Sequence, residues 1–246
     1  MDTTGYLPLA AAVSLQRGLD VTANNLANST TAGFRAGRLV FEDLLTSRDT
    51  AGAPVGYGHD RMGYADIRPG QLNPTGNTLD LAIQGEGWFA YEAEGGRIAL
   101  GRDGRFVTDA EGMLRTVAGR PVLDAGGAPI VLELEGGAPS IGRDGTISDA
   151  GGNNLGQIGL FTAPGIETWE RIGETMFVPR GGAETPLEPV ETPVVIQGAL
   201  EQSNVNPIAE MVRMIEIQRS FDQAMQTSRN HDDLRQTTLS RLGQKA

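Results

Sequence analysis

Apolar and polar positions change their spacing twice along the chain. Near the start, Ala12, Leu15, Leu19, Thr22 and Leu26 recur at steps of three and four, which stacks them on one face of a helix. Pro8 fits only a first turn, so a helix is predicted from near Leu7 to near Asn28, roughly 33 Å long at ~1.5 Å per residue. Ser29-Thr30-Thr31-Ala32-Gly33 reads as its stop.

A second helical pattern closes the chain. The Asn206 side chain can cap free N–H groups, and Pro207 suits the first helical position. No further proline follows. Ile208, Met211, Val212 and Ile215 lie on one side of the predicted helix, whereas Ile217, Phe221, Ala224 and Met225 are rotated to another. One neighbour cannot cover both stripes.

Between the helices, from about Thr78 to Gly198, the period shortens to that of strands. LDLAIQ, WFAYEA, RIAL, RFVTD, PIVLEL and PVVIQ are separated by glycine-rich turns. GRDGRFVTDAEGML and GRDGTISDAGGNNL repeat one plan and predict recurring hairpins. Residues 37–77 show little period and read as an extended connector. The fold class is therefore α+β. Residues 1–36 hold the first helix and its polar motif, which packs with 201–246; 78–200 form a β-rich domain.

Composition sharpens this picture. Only 5% of residues are aromatic and 34 are glycine, which suits short strands and many turns better than a large enzyme core. With no cysteine, disulfides and thiolate chemistry are excluded. No apolar run approaches the ~20 residues of a membrane span, and the N-terminus lacks a basic signal-peptide region. Direct membrane insertion and a cleaved signal peptide are thus not expected. The net charge of −11 disfavours nucleic acid as a partner. Residues 1–40 carry +1 and 201–246 carry 0, so the middle of the chain holds the acidity.

Chemical motifs are weak. Gly85-Glu86-Gly87-Trp88-Phe89-Ala90 has the glycine spacing of a dinucleotide loop, but YEAEGG follows where a helix would be needed. A tight turn is the better reading, and no cofactor is expected. Asp103, Asp109, Asp144 and Asp149 lack the oxygen ladder of a calcium loop and read as turn residues; no metal is expected. His59 and His231, the only histidines, lie in the connector and on a polar helix face. No catalytic residue is assigned, although an acidic β-domain hydrolase or a sugar- or calcium-binding module stays open as an alternative. The two helical ends either form a closed hairpin or complete a core with other copies; the two-sided second helix favours the latter.

TANNLANSTTAGFRA (22–36) closely resembles the A-N-N-L-A-N motif of bacterial flagellar axial proteins, the subunits of rod and hook. RPGQLNPTGNTLDLAIQGEGWFA (68–90), GRDGRFVTDAEGMLRTVAGRPVL (101–123) and LEQSNVNPIAEMVRMIEIQRSF (200–221) are similar to further segments of the same family, in the same order. The resemblance is strongest to the proximal rod class, with the distal rod and the hook as alternatives. It implies a structural, non-enzymatic subunit whose terminal helices pack as an axial core inside the β-rich outer domain. Such a subunit lines the export channel and transmits torque. It also implies export through the flagellar type III apparatus, location in the periplasmic rod of the basal body, and partnership with its own copies and neighbouring rod proteins.

The assembly contacts so implied are Leu15, Leu19, Asn24, Asn25, Leu26, Asn28, Gly33 and Phe34 at one end. At the other they are Asn204, Asn206, Met211, Met214, Ile215, Ile217, Phe221 and Met225. The asparagine amides both donate and accept, and are expected to fix helix register between subunits without adding charge. Gly33 is expected to let the backbone leave the helix, with Phe34 anchoring the exit.

Overall fold

A computed structural model of the chain describes residues 6–42, 59–132, 137–173, 175–182 and 187–243. The chain forms two compact bodies. Of the described residues, those within 6–27, 37–64 and 206–243 make up the helical body, and those within 28–36 and 65–205 the β body.

The helical body contains α1 (Tyr6–Ala27) and α2 (Pro207–Gly243). Pro8 falls in the first turn of α1, where its missing N–H costs nothing. Asn206 caps α2: its Oδ1 accepts from the backbone N–H of Ile208 at 3.1 Å and of Ala209 at 3.2 Å. At 37 residues, α2 extends for about 55 Å at ~1.5 Å per residue. The stretch read as a connector carries strands: Gly37–Glu42 and His59–Ala65 form a two-stranded sheet, and Leu72–Pro74 pairs with Ala199–Glu201. Their short runs have no steady alternation, which is why the sequence pattern hides them.

The β body is built on a six-stranded sheet in the order 170–172, 176–178, 98–101, 88–92, 160–162, 188–189, with all neighbours antiparallel. Strand Trp88–Glu92 is buried on both faces. Phe89 and Tyr91 enter one apolar cluster with Leu81, Phe106 and Leu114; Trp88 and Ala90 enter another with Leu100, Phe161 and Phe177. The repeated GRDG segments lead into two hairpins, 106–108 with 114–116 and 146–148 with 154–157. Gly85-Glu86-Gly87 turns directly into strand 88–92 and opens no helix. Among the described residues, no helix is long and apolar enough to cross a membrane.

Candidate functional site

The polar motif after the first helix is anchored at Asn25, buried near the end of α1. Its Oδ1 accepts from the Gly37 N–H at 2.8 Å, and its Nδ2 donates to the Gly37 carbonyl at 2.9 Å. The side-chain amide thus pairs with a backbone twelve residues away as a neighbouring strand residue would. Nδ2 also reaches Glu210 Oε2 at 3.4 Å, while Arg38 donates to Glu210 Oε1 at 2.8 Å. Glu210 sits in the first turn of α2, where the helix dipole favours a carboxylate. These amide atoms are engaged within the chain, so Asn25 holds the return from α1 in the single chain.

The buried line of α1 runs through Ala12, Gly18, Thr22 and Asn25, with Leu15, Leu19 and Leu26 half-buried beside it. Gly18 is the point of close approach: a Cβ there would lie 3.5 Å from Ile217 Cδ1. A hollow of about 90 Å³ lies alongside, lined by Leu15, Gly18, Val21, Thr22, Arg213 and Ile217 among others. Of the face read from the helical period, Ala12 and Thr22 are buried and Leu15, Leu19 and Leu26 half-buried; Gly18 and Asn25, which join the buried line, carry no apolar signal. Asn24 is exposed.

Among the described side chains of α2, only Glu210 is buried. Met214, Ile217, Phe221, Ala224 and Met225 are half-buried on one side. Ile208, Met211, Val212 and Ile215 lie open on the other, Ile208 at 70% and Ile215 at 53% of full exposure.

The β body has its own polar hub. Glu201 accepts from Arg35 Nη2 at 2.6 Å, from the Gly70 N–H at 2.8 Å and from Arg102 Nη1 at 3.1 Å. Arg102 also donates to the Gly85 carbonyl at 2.7 Å. Both guanidiniums lie over the Trp88 ring, 5.6 and 5.1 Å from its centre. Burial lowers the Arg102 pKa, opposed by the Glu201 carboxylate, and burial likewise lowers that of Arg171, which covers Phe34 at 4.6 Å.

Gly33 has φ +69°, and its N–H donates to the Glu201 carbonyl at 2.7 Å; Phe34 is fully buried with Ala36 and Val205. Asn204 ties this segment down, accepting from the Ala36 N–H at 2.8 Å and donating to the carbonyls of Asp66 and Arg68 at 2.7 and 2.9 Å. Asn28 is buried and accepts from the Thr31 hydroxyl at 3.1 Å.

The charged members of these hubs, Arg35, Arg38, Arg102, Glu201 and Glu210, escaped the sequence reading. Their one local signal is a lone charge amid small or apolar neighbours, as in GFRAG, ALEQS and PIAEM. The aspartates of the glycine-rich segments act as turn acceptors: Asp109 takes the Met113 N–H at 2.8 Å, and Asp149 the Asn153 N–H at 2.8 Å. Among the described residues, no group of three or more histidine or acidic side chains could hold a metal. The side chains of His59 and His231 lie outside the described residues. What these arrangements do is hold distant segments of chain together and leave one face of α2 open.

Residues 82–149 match the family described as flagellar hook protein FlgE/F/G D1 domain, and residues 196–242 the family described as flagellar basal body rod FlgEFG protein C-terminal. Over its whole length the chain is similar to the flagellar basal-body rod protein FlgF of Mesorhizobium japonicum, at 38% identity covering 100% of each chain. It is 36% identical to the FlgF of Caulobacter vibrioides, covering 99% of each. To the rod protein FlgG of Bacillus subtilis it is 31% identical, covering 96% of this chain and 97% of the other.

Proposed function

The chain belongs to the flagellar basal-body rod proteins and is FlgF-like, a structural subunit of the rod; from that premise we propose how it serves there. Residues 1–36 and 201–246 form the axial part of a helical assembly, and 78–200 its outer domain. The terminal helices pair with those of other copies and of neighbouring rod proteins, line the export channel and carry torque along the shaft. The subunit is not an enzyme. It crosses to the periplasmic rod through the flagellar type III apparatus, without a cleaved signal peptide.

One observation carries the assembly reading: α2 exposes Ile208, Met211, Val212 and Ile215 as a continuous stripe. An apolar surface of this kind on an elongated helix calls for a partner. The full-length similarity to FlgF, above that to FlgG, favours the proximal rod.

The test is a strain lacking this gene, complemented with the native chain or with Ile215→Asp, its basal bodies viewed by electron microscopy. The native chain is expected to restore complete rods and Ile215→Asp to leave them truncated. Complete rods in the uncomplemented strain would overturn the reading.

A further inference from the structure

The helical body carries two apolar features that do not face the same way. The open stripe of α2 is centred between Ile208 and Ile215. Ile217, which lines the hollow beside Gly18, lies about 170° round the helix axis from that centre, at ~100° per residue. The stripe projects side chains and the hollow receives. Its volume of about 90 Å³ equals roughly three waters at ~30 Å³ each, the bulk of one aliphatic side chain.

The hollow is lined by the Arg38–Glu210 ion pair and by Arg213, which leaves one positive charge in excess there. Arg213 is exposed, while Glu216 is exposed beside Val212 at the flank of the stripe. Neither forms an ion pair among the described residues. Arg219, a turn beyond Ile215, lies where the stripe ends.

We infer that copies of this chain join head to tail through these two different surfaces: the 208–215 stripe of one copy packs over the Gly18 hollow of the next, one of its aliphatic side chains entering the hollow, with Glu216 of the first against Arg213 of the second. This rests on the rod reading above and adds to it which surface donates and which accepts. Because the two surfaces lie on opposite sides of α2, a two-fold contact cannot use both at once. Every joined pair keeps one free stripe and one free hollow, the condition for an open, growing assembly.

The experiment uses the full chain and measures oligomer mass by sedimentation velocity over a concentration series. Gly18→Leu plugs the hollow and leaves the stripe; Val212→Asp with Ile215→Asp spoils the stripe and leaves the hollow. Arg213→Glu, at an exposed position, repeats the first block without touching the packing, and adding Glu216→Arg to it is expected to restore association. Circular dichroism verifies that each variant keeps its helices.

The native chain is expected to form a ladder of oligomers and each blocked variant to stay monomeric. An equimolar mixture of plugged and stripe-spoiled chains should stop at twice the monomer mass. A native chain that stays monomeric, a blocked variant that forms the native ladder, or a mixture that gives no dimer would overturn the inference. The strain lacking the gene separates the two failures: complete rods there defeat the rod reading, whereas truncated rods together with an unpaired mixture defeat only the donor and acceptor assignment.

Discussion

Asn25 and Gly37 pair through two hydrogen bonds, 2.8 and 2.9 Å, one side chain meeting both polar groups of one backbone unit. This contact holds the chain returning from α1 against the helix it has just left. Asn25→Ala strands the Gly37 groups and removes a neighbour of Glu210. It should cost the helical body about 2–3 kcal/mol, the price of unmatched buried polar groups. Hydrogen exchange at the Gly37 amide should rise, while the melting of the β body stays put. An unchanged Gly37 exchange rate would show that the amide pair is not what holds this return.

The Glu201 hub makes a sharper prediction. Glu201→Gln leaves Arg35 and Arg102 buried without their shared carboxylate, and should destabilise the β body by about 3–5 kcal/mol in a denaturant titration. Replacing all three by apolar residues, as in Arg35→Met, Glu201→Leu and Arg102→Met together, should recover most of that loss. If the single and triple variants unfold alike, the stranded charge is not the cause.

Gly18 and Gly33 should respond to alanine with opposite signs. Gly18 lies in the interior of α1, where a Cβ would meet Ile217 at an ordinary 3.5 Å. Gly18→Ala should therefore stabilise the helical body by up to about 1 kcal/mol, the helix-propensity difference. Gly33 adopts φ +69°, and a Cβ there would come within 2.3 Å of the Asp103 backbone nitrogen. Gly33→Ala should destabilise the β body by well over ~1 kcal/mol. Equal effects in thermal melts would contradict the close approach at Gly33.

These residues also mark how far the sequence could be read. Both helices, the Asn206 cap, strands 81–83, 88–92, 98–101 and 195–197 and the two GRDG hairpins follow from spacing, because side chains on one face must be apolar whatever they pack against. Four strands of the central sheet, 160–162, 170–172, 176–178 and 188–189, were not read, being too short to show a period, and PIVLEL, read as a strand, makes only isolated bridges at Pro129 and Val131 among its described residues. Phe34 was named as an anchor through the resemblance of its motif, and it is fully buried. The partners of Asn25, Arg35 and Glu201 were not legible. Arg35 and Glu201 meet across 166 residues, and a charge buried by a distant partner is written with the same letter as a charge in water. The candidate assembly stripe on α2 was visible as periodicity. The hollow beside Gly18 was not, since it is defined by a missing side chain.

Acid should weaken the β body through its turns. Asp109, Asp144 and Asp149 all titrate below the ordinary value of 3.8, held down chiefly by hydrogen bonds from Arg115, Thr146 and Asn153 respectively. A carboxylate whose folded pKa is depressed contributes stability above its unfolded pKa and loses it as pH falls through the folded value. The unfolding midpoint of the β body should thus be flat from neutrality down to about pH 5 and fall below about pH 4. Asp109→Asn, Asp144→Asn and Asp149→Asn combined should lower the midpoint at neutral pH and flatten the acid slope, because the amides no longer change charge. An acid slope as steep in the triple variant as in the native chain would place the titrating groups elsewhere.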